Sequence, residues 1–418
     1  MSTYTEYRLG GIGGDPVAAG NRDGPGESAD KNRVIEPNVL IYRNDLIQKS
    51  ETFILAQAKC MKRYHGVFCG LSQTPDGILP GDAARSILMQ QDELPGAGSF
   101  LRKRAFMACG FAPAWRQQCK IFQPLLLHAH FGIDGAFALP LQRSLKVPLI
   151  VSLHGYDVTS SDEALRQSAG GRLYLRRRKQ LFARAKLFIC VSSFIRDQAI
   201  ERGYPPEKLW VHSIGIDLKT FQSDASIQRQ PVVLFVGRLV EKKGCAHLIA
   251  AMQAVQRARP SARLVIIGEG PLRQKLEEQA AQSLPGQYVF LGAQPPGVVR
   301  SWLGQAMVFC VPSVTAANGD REGLGMVFCE AQAMGVPVVS FASGGIPEAV
   351  TDGVTGFLLP ERDETGLAEN ICRLLRDSAL WAGMSLRGQQ NIKKHFNLEL
   401  QTKMLESRYD QVIADSDC

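Results

Sequence analysis

Short apolar runs, each closed off by polar or turn-forming residues, recur along the chain with longer amphipathic stretches between them. The runs fall at 39–42, 66–71, 125–131, 149–153, 187–191 and 209–212, and then at 232–236, 263–267, 289–291, 308–311, 338–340 and 354–359. Most are continuous rather than alternating, which is the pattern of strands covered on both faces in a parallel sheet. The stretches 51–64, 134–145, 172–185, 272–282, 364–377, 379–395 and 398–414 carry helical periodicity. Strand alternating with helix predicts an α/β chain of two doubly wound, Rossmann-like halves.

The expected division is a disordered arm over 1–36, a first domain over 37–222, a second over 223–395 and a closing segment over 396–418. The arm is rich in Gly, Asp, Pro and Ser and cannot bury enough surface to order itself. Its G-G-I-G-G run at 10–14 has no strand before it and no helix after it, as a phosphate loop requires. Residues 222–231 are polar and end at Pro231, which suits a hinge.

Composition changes this picture in two places. The 418 residues are 45% hydrophobic and 21% charged, ordinary for a soluble enzyme of two domains. No apolar run reaches the roughly 20 residues that span a bilayer, and the first residues lack a secretory core, so the expectation is a cytoplasmic protein. Ten cysteines include no C-x-x-C pair, which removes zinc and thioredoxin-like readings. Residues 1–222 carry 29 Lys/Arg against 20 Asp/Glu and residues 223–418 carry 19 against 20, so the excess positive charge belongs to the first half. That points to an anionic partner there, and no nucleic-acid-binding module accompanies the charge. The segment 98–120 interleaves Arg102, Lys103 and Arg104 with Phe100, Phe106, Phe111 and Trp115. It reads either as a peripheral patch for the inner face of the cell membrane or as a helix covering the sheet. The run Arg176-Arg177-Arg178-Lys179 is a solvated helix face that could turn toward the same surface.

The chemistry concentrates between Ser313 and Glu348. Glu322 and Glu330 lie eight positions apart around Gly323-Leu324-Gly325, with a strand before and another after. A helix opening near Gly325 presents unpaired amides of Gly323, Leu324, Gly325, Met326 and Val327 and a partial positive charge to an anion. A phosphate resting there would leave both carboxylates free to accept from hydroxyls on either side, as in a sugar, a phosphate and a ribose joined together. Upstream, Gly237-Arg238-Leu239-Val240-Glu241-Lys242-Lys243-Gly244 follows a strand and precedes a helix. Arg238 and Lys243 can converge there on a diphosphate, one as a fork and one as a point charge. His128, His130 and His154 end predicted strands of the first half. Gly268 and Gly270 lack a third glycine and give little support to a nicotinamide dehydrogenase. The terminal Asp415-Ser416-Asp417 has a metal-transferase spelling but is expected in a fraying tail.

The order E-G-L-G-M-V-x-x-E, G-V-P-V-V and G-G-I-P-E, with G-R-x4-K-G before it, resembles the donor site of family 4 retaining glycosyltransferases of the GT-B fold. The likeness spans about residues 37–414 and is strongest from 209 to 360. It implies two doubly wound domains across a cleft, with the final helix crossing back to the first. It also implies that Glu322 meets the donor sugar's hydroxyls, that Glu330 meets the ribose, that Arg238 and Lys243 hold the diphosphate, and that His154 lies near the sugar. The 289–291 strand would meet the nucleobase. The family's Gly-Gly turn after the first strand is replaced by Lys49-Ser50-Glu51-Thr52-Phe53, where Ser50 and Thr52 are the substitutes and Ser50 also reads as an N-cap.

The implied reaction moves a hexose, with retention and without a metal or other cofactor, from a nucleoside-diphosphate sugar to a hydroxyl. UDP is preferred to GDP as the carrier. The acceptor is a glycan, in the lipid-linked case on polyprenyl diphosphate, as in bacterial exopolysaccharide assembly. The alternatives are a phosphorylase or a sugar-nucleotide epimerase of GT-B fold using the same cleft, the latter revealed by an epimer formed from donor alone, and a non-catalytic sugar-nucleotide-binding protein.

Overall fold

The computed structural model describes residues 37–46, 48, 51–73, 77, 85–89, 105–106, 110, 112–224, 226–284 and 286–417. The arm expected over 1–36, the substitute and N-cap expected at Ser50, and Phe100, Arg102, Lys103, Arg104 and Phe111 lie outside them. The strands form two all-parallel sheets. The first contains β1 (Asn38–Leu46), β2 (His65–Gln73), β3 (Ser86–Leu88), β4 (Leu126–His130), β5 (Leu149–Leu153), β6 (Leu187–Cys190) and β7 (Leu209–Val211), in the order β3-β2-β1-β4-β5-β6-β7. The second contains β8 (Gln230–Val236), β9 (Arg263–Ile267), β10 (Tyr288–Phe290), β11 (Ala306–Cys310), β12 (Val338–Phe341) and β13 (Gly356–Leu359), in the order β10-β9-β8-β11-β12-β13. Each sheet is doubly wound. The order reverses between β1 and β4 in one and between β8 and β11 in the other, and crevices for ligands open at such points beyond the strands' C-terminal ends.

Burial on both faces explains the continuous apolar runs. In the first sheet Leu40, Tyr42, Leu127 and Ala129 pack under one layer, while Val39, Ile41, Leu126 and Ile150 pack on the other side with Leu405, Tyr409 and Val412. Those last three belong to the final helix, Leu398–Asp417, which therefore crosses back to the first sheet as expected. Its Glu406 accepts hydrogen bonds from the backbone amides of Lys62 and Arg63 after the first helix. The chain passes between the halves twice at one place. Ile216 N donates to Phe396 O at 2.6 Å, and Leu398 N donates to Ile216 O at 3.0 Å.

Several expectations change. The first helix is Thr52–Cys60, shorter than 51–64, because Met61 is extended. Phe106 and Trp115 are buried and pack edge to face, so these two aromatics belong to the core and not to a membrane-facing patch. Asp415 and Ser416 continue the final helix rather than fraying from it. Short elements with little periodicity went unforeseen: β3, and the helices Tyr156–Thr159, Asp162–Arg166, Pro296–Gln305 and Ile346–Ala349. No described helix is long and apolar enough to cross a membrane.

Candidate active site

At the reversal point of the second sheet, β8 runs into Gly237-Arg238 and then a 3-10 turn, Glu241–Lys243, closed by Gly244. Gly244 has φ 64°, and a Cβ there would collide with the Pro312 carbonyl oxygen. The turn therefore lies flat on the chain leaving β11, and Val314 N donates to Lys242 O at 2.8 Å. This close approach brings two lysines against the loop 315–325. Lys242 pairs with Asp320 at 2.9 Å, and Lys243 pairs with Glu322 at 2.5 Å.

Both pairs are largely withdrawn from water, with every partner near 11–12% exposed. Burial alone would raise the Glu322 carboxyl. The cations of Lys243, Lys242 and Arg238 outweigh it and hold Glu322 below the usual glutamate value. Arg238 itself is exposed and has no side-chain hydrogen bond among the described residues. It stands close enough to act on Glu322 while keeping its fork available.

Beyond Glu322 the backbone is held by glycines. Gly325, at φ 83°, caps the helix Met326–Ala333, and no side chain caps that helix start. The amides of Met326 and Val327 are therefore open to an outside acceptor. Glu330 follows on the same helix, half-buried, with no hydrogen-bonding partner among the described residues. Burial with no compensating cation pushes its carboxyl up to about 7.

The first half meets this surface directly. A Cβ on Gly323 would strike the His154 carbonyl oxygen, so only glycine permits the two loops to touch there. Ser192 Oγ donates to Gly323 O at 2.6 Å, and Thr159 Oγ1 donates to Asp320 Oδ1 at 2.9 Å. The carboxylate of Glu348, from the G-G-I-P-E segment, accepts from the amides of Ser193 and Phe194 at 2.7 and 2.8 Å. It thereby caps a helix of the opposite half. His154, Glu322 and Lys243 are thus brought to one junction, with Arg238 beside it.

The histidines divide. His154 is half-buried beside Phe53 and Phe131 and shares a 3.0 Å hydrogen bond with His130 Nδ1. His128 and His130 are fully buried; His128 is fixed by Tyr409 OH at 2.6 Å and Ser152 Oγ at 2.8 Å. Neither opens directly to the junction, so the site candidates reduce to His154, with His130 behind it. Burial and neighbouring positive charge hold His154 near 3, so it is a neutral hydrogen-bonding group.

Sequence reasoning missed a buried cluster at the first sheet's reversal point. Arg43, in the second half of β1, binds Glu51 at 2.6 Å and also Asp134, and it lies 4.4 Å from the Phe131 ring. Phe131 has φ 72°, a strained conformation for an aromatic residue, and its ring packs on His154. Burial raises Asp134 to about 6 even though Arg43 draws it down. The available signal was a charged Arg inside an otherwise apolar strand, with an acid eight residues on. Thr52 simply opens the first helix.

With this geometry in view, residues 230–377 match the family described as Glycosyl transferases group 1, and residues 53–220 match Glycosyltransferase Family 4. The amylovoran biosynthesis glycosyltransferase AmsK of Erwinia amylovora is 32% identical over 296 residues, 68% of this chain and 70% of the relative. The chain belongs to the family 4 glycosyltransferases. As a hexosyltransferase of the GT-B fold, it also resembles a GDP-mannose-dependent alpha-(1-6)-phosphatidylinositol monomannoside mannosyltransferase of Mycolicibacterium smegmatis. That protein is 32% identical over 62% of this chain and 70% of its own length. Among solved structures, Anabaena HepE in complex with UDP and glucose superposes with a TM-score of 0.70 at 20% identity, covering 89% of this chain and 99% of that one. At that identity the likeness concerns the fold.

Proposed function

We propose that this family 4 glycosyltransferase moves a hexose from a nucleoside-diphosphate sugar to an acceptor hydroxyl with retention of anomeric configuration. The observation that carries the reading is the Lys243–Glu322 pair at the junction of the two reversal points, with His154 touching the same loop. Arg238, Lys243 and the open amides after Gly323 would receive the diphosphate. Glu322 would accept from the sugar's hydroxyls and Glu330 from the ribose, while neutral His154 offers one more hydrogen bond to the sugar.

Charge accumulating on the departing diphosphate is stabilised by these cations and dipoles, preorganised where that charge develops. The bond from the anomeric carbon to the phosphate oxygen breaks as the bond to the acceptor oxygen forms on the same face. The acceptor's proton passes to the leaving phosphate oxygen. No carboxylate is assigned as a nucleophile, and no metal is required in this scheme. The amylovoran relative supports a role in building a glycan and the mannosyltransferase a lipid-linked acceptor, so a lipid-linked glycan fits both, and the diphosphate linkage is part of the proposal. The HepE complex favours UDP and the mannosyltransferase favours GDP, and both donors enter the test.

Incubation with UDP- and GDP-hexoses and a polyprenyl-diphosphate glycan, with the product's anomeric proton read by NMR, tests the reading. Transfer with retained configuration, unaffected by EDTA, is expected. Inverted product, activity restored only by Mg²⁺ after EDTA, or an epimer from donor alone would each refute it.

A further inference from the structure

His154 sits in a socket of three rings. Phe131 lies 4.6 Å from it and Phe53 lies 5.3 Å from it, while His130 stacks on it at 5.3 Å and shares the 3.0 Å hydrogen bond. Phe53 belongs to the first helix, His130 ends β4, and Phe131 is the next residue. A single buried side chain, Arg43, is tied to all three. Its Nε and one amino group donate to the two oxygens of Glu51 at 3.1 and 2.6 Å. Glu51 immediately precedes the helix Thr52–Cys60, so this fork fixes the helix start that carries Phe53. The other amino group donates to His130 O at 3.3 Å and to Asp134. Bonds on both edges lock the guanidinium plane. The face so oriented lies 4.4 Å from the Phe131 ring centre, a cation–π contact.

The backbone beneath these rings is held by other groups. Phe131 N donates to Ser152 O at 2.7 Å, and Gly135 N donates to Phe131 O at 2.9 Å. The Asp157 carboxylate accepts from Gly132 N at 2.6 Å and from Gly155 N at 3.1 Å, which ties the loop after β4 to the loop after β5. What Arg43 adds is the direction of the rings. It is 7% exposed and its fork is committed on both edges, so it acts through its neighbours and not on a ligand. After burial, its charge is the next cause that keeps His154 neutral.

We propose that Arg43 is a positioning residue for transfer: through Phe53, Phe131 and His130 it sets the direction in which His154 meets the donor sugar. This rests on His154 facing the sugar, as read above.

Two variants of the full chain separate this role from a structural one. Arg43→Lys keeps a positive charge between Glu51 and Asp134 but has no plane. Phe131→Leu leaves the ion pairs in place and removes the ring that joins Arg43 to His154. Transfer to a polyprenyl-diphosphate glycan, from whichever of UDP- or GDP-hexose is turned over, is followed with and without His154→Ala. Each variant is expected to lower kcat about tenfold, with donor KM within about twofold of wild type. Combined with His154→Ala, neither should lower kcat further, because a group acting through His154 has nothing left to act on. A general structural defect would instead multiply the His154→Ala loss. In parallel, the histidine rings are read by heteronuclear NMR, with the His154 signals assigned by their absence from His154→Ala. They should move in both variants, while those of His247, in the second half, stay in place. That arm needs no substrate, and Phe131→Leu reports even if Arg43→Lys fails to fold. Unmoved His154 signals, or losses that multiply with His154→Ala, overturn the proposal and leave the donor reading standing. Full transfer by His154→Ala overturns the sugar-facing reading of His154 and the proposal with it.

Discussion

Lys243 and Glu322 hold each other as an ion pair, and this sets how their variants should behave. Removing one partner of a buried ion pair leaves the other uncompensated, at a cost of about 3–5 kcal/mol. Glu322→Gln and Lys243→Met are each expected to lower transfer at least a hundredfold and also to lower the melting temperature. The double variant should regain much of the stability and none of the activity, which separates the pair's structural from its catalytic role.

Glu330 gives a pH signature of the opposite sense to an ordinary surface acid. Its folded pKa, about 7, lies above the usual glutamate value. Its contribution is therefore fully present below the unfolded pKa near 4.5 and is lost as pH rises through about 7. Glu330→Gln should flatten stability between pH 5 and 8 by up to about 3 kcal/mol, read by denaturant unfolding. Two histidines act at the other end: His128 and the half-buried His154 are held near 3, so stability present above about 6.5 is lost as pH falls toward 3. None of this was legible from residue type. Glu322 and Glu330 read alike in the sequence, and the cations around Glu322, with no hydrogen-bonding partner for Glu330 among the described residues, separate them.

At the scale of elements, strands were legible wherever both faces are buried, because a run such as Leu149–Leu153 is apolar throughout. The three-residue β3 and the four-residue helices are too short for any period to show. The loops were legible where glycine spacing carried the fold: Gly237, Gly244, Gly323 and Gly325 all sit at turns or close approaches. The sequence could not show what Gly323 approaches, since His154 lies far away in the chain. Gly323→Ala forces its loop off the His154 carbonyl. A loss of transfer of tenfold or more is expected, with nucleoside diphosphate affinity within a few-fold of wild type by calorimetry; unchanged transfer would show that the contact is dispensable.

For the whole molecule, the halves are joined by two kinds of contact. Chain crossings at Ile216 and Leu398 form one fixed edge, and the bonds from Ser192, Thr159 and Glu348 form another across the junction. Two edges are what a hinge and a latch require, and closing over a donor would exclude water that otherwise hydrolyses it. Glu348→Ala removes the cap on Ser193 and Phe194. Without donor it is expected to raise the radius of gyration in solution scattering, and in assays it should raise donor hydrolysis relative to transfer. The two-half plan was legible from the two series of strands and the polar hinge. The latch was not, because its partners come from different halves.

The most direct measurement is calorimetric titration of the nucleoside diphosphate against its monophosphate, using whichever of uridine or guanosine binds. If Arg238, Lys243 and the amides after Gly323 cradle the leaving group, the second phosphate should strengthen binding to wild type at least tenfold, and that gain should vanish in Arg238→Ala/Lys243→Met. A diphosphate advantage of equal size in both proteins would contradict it.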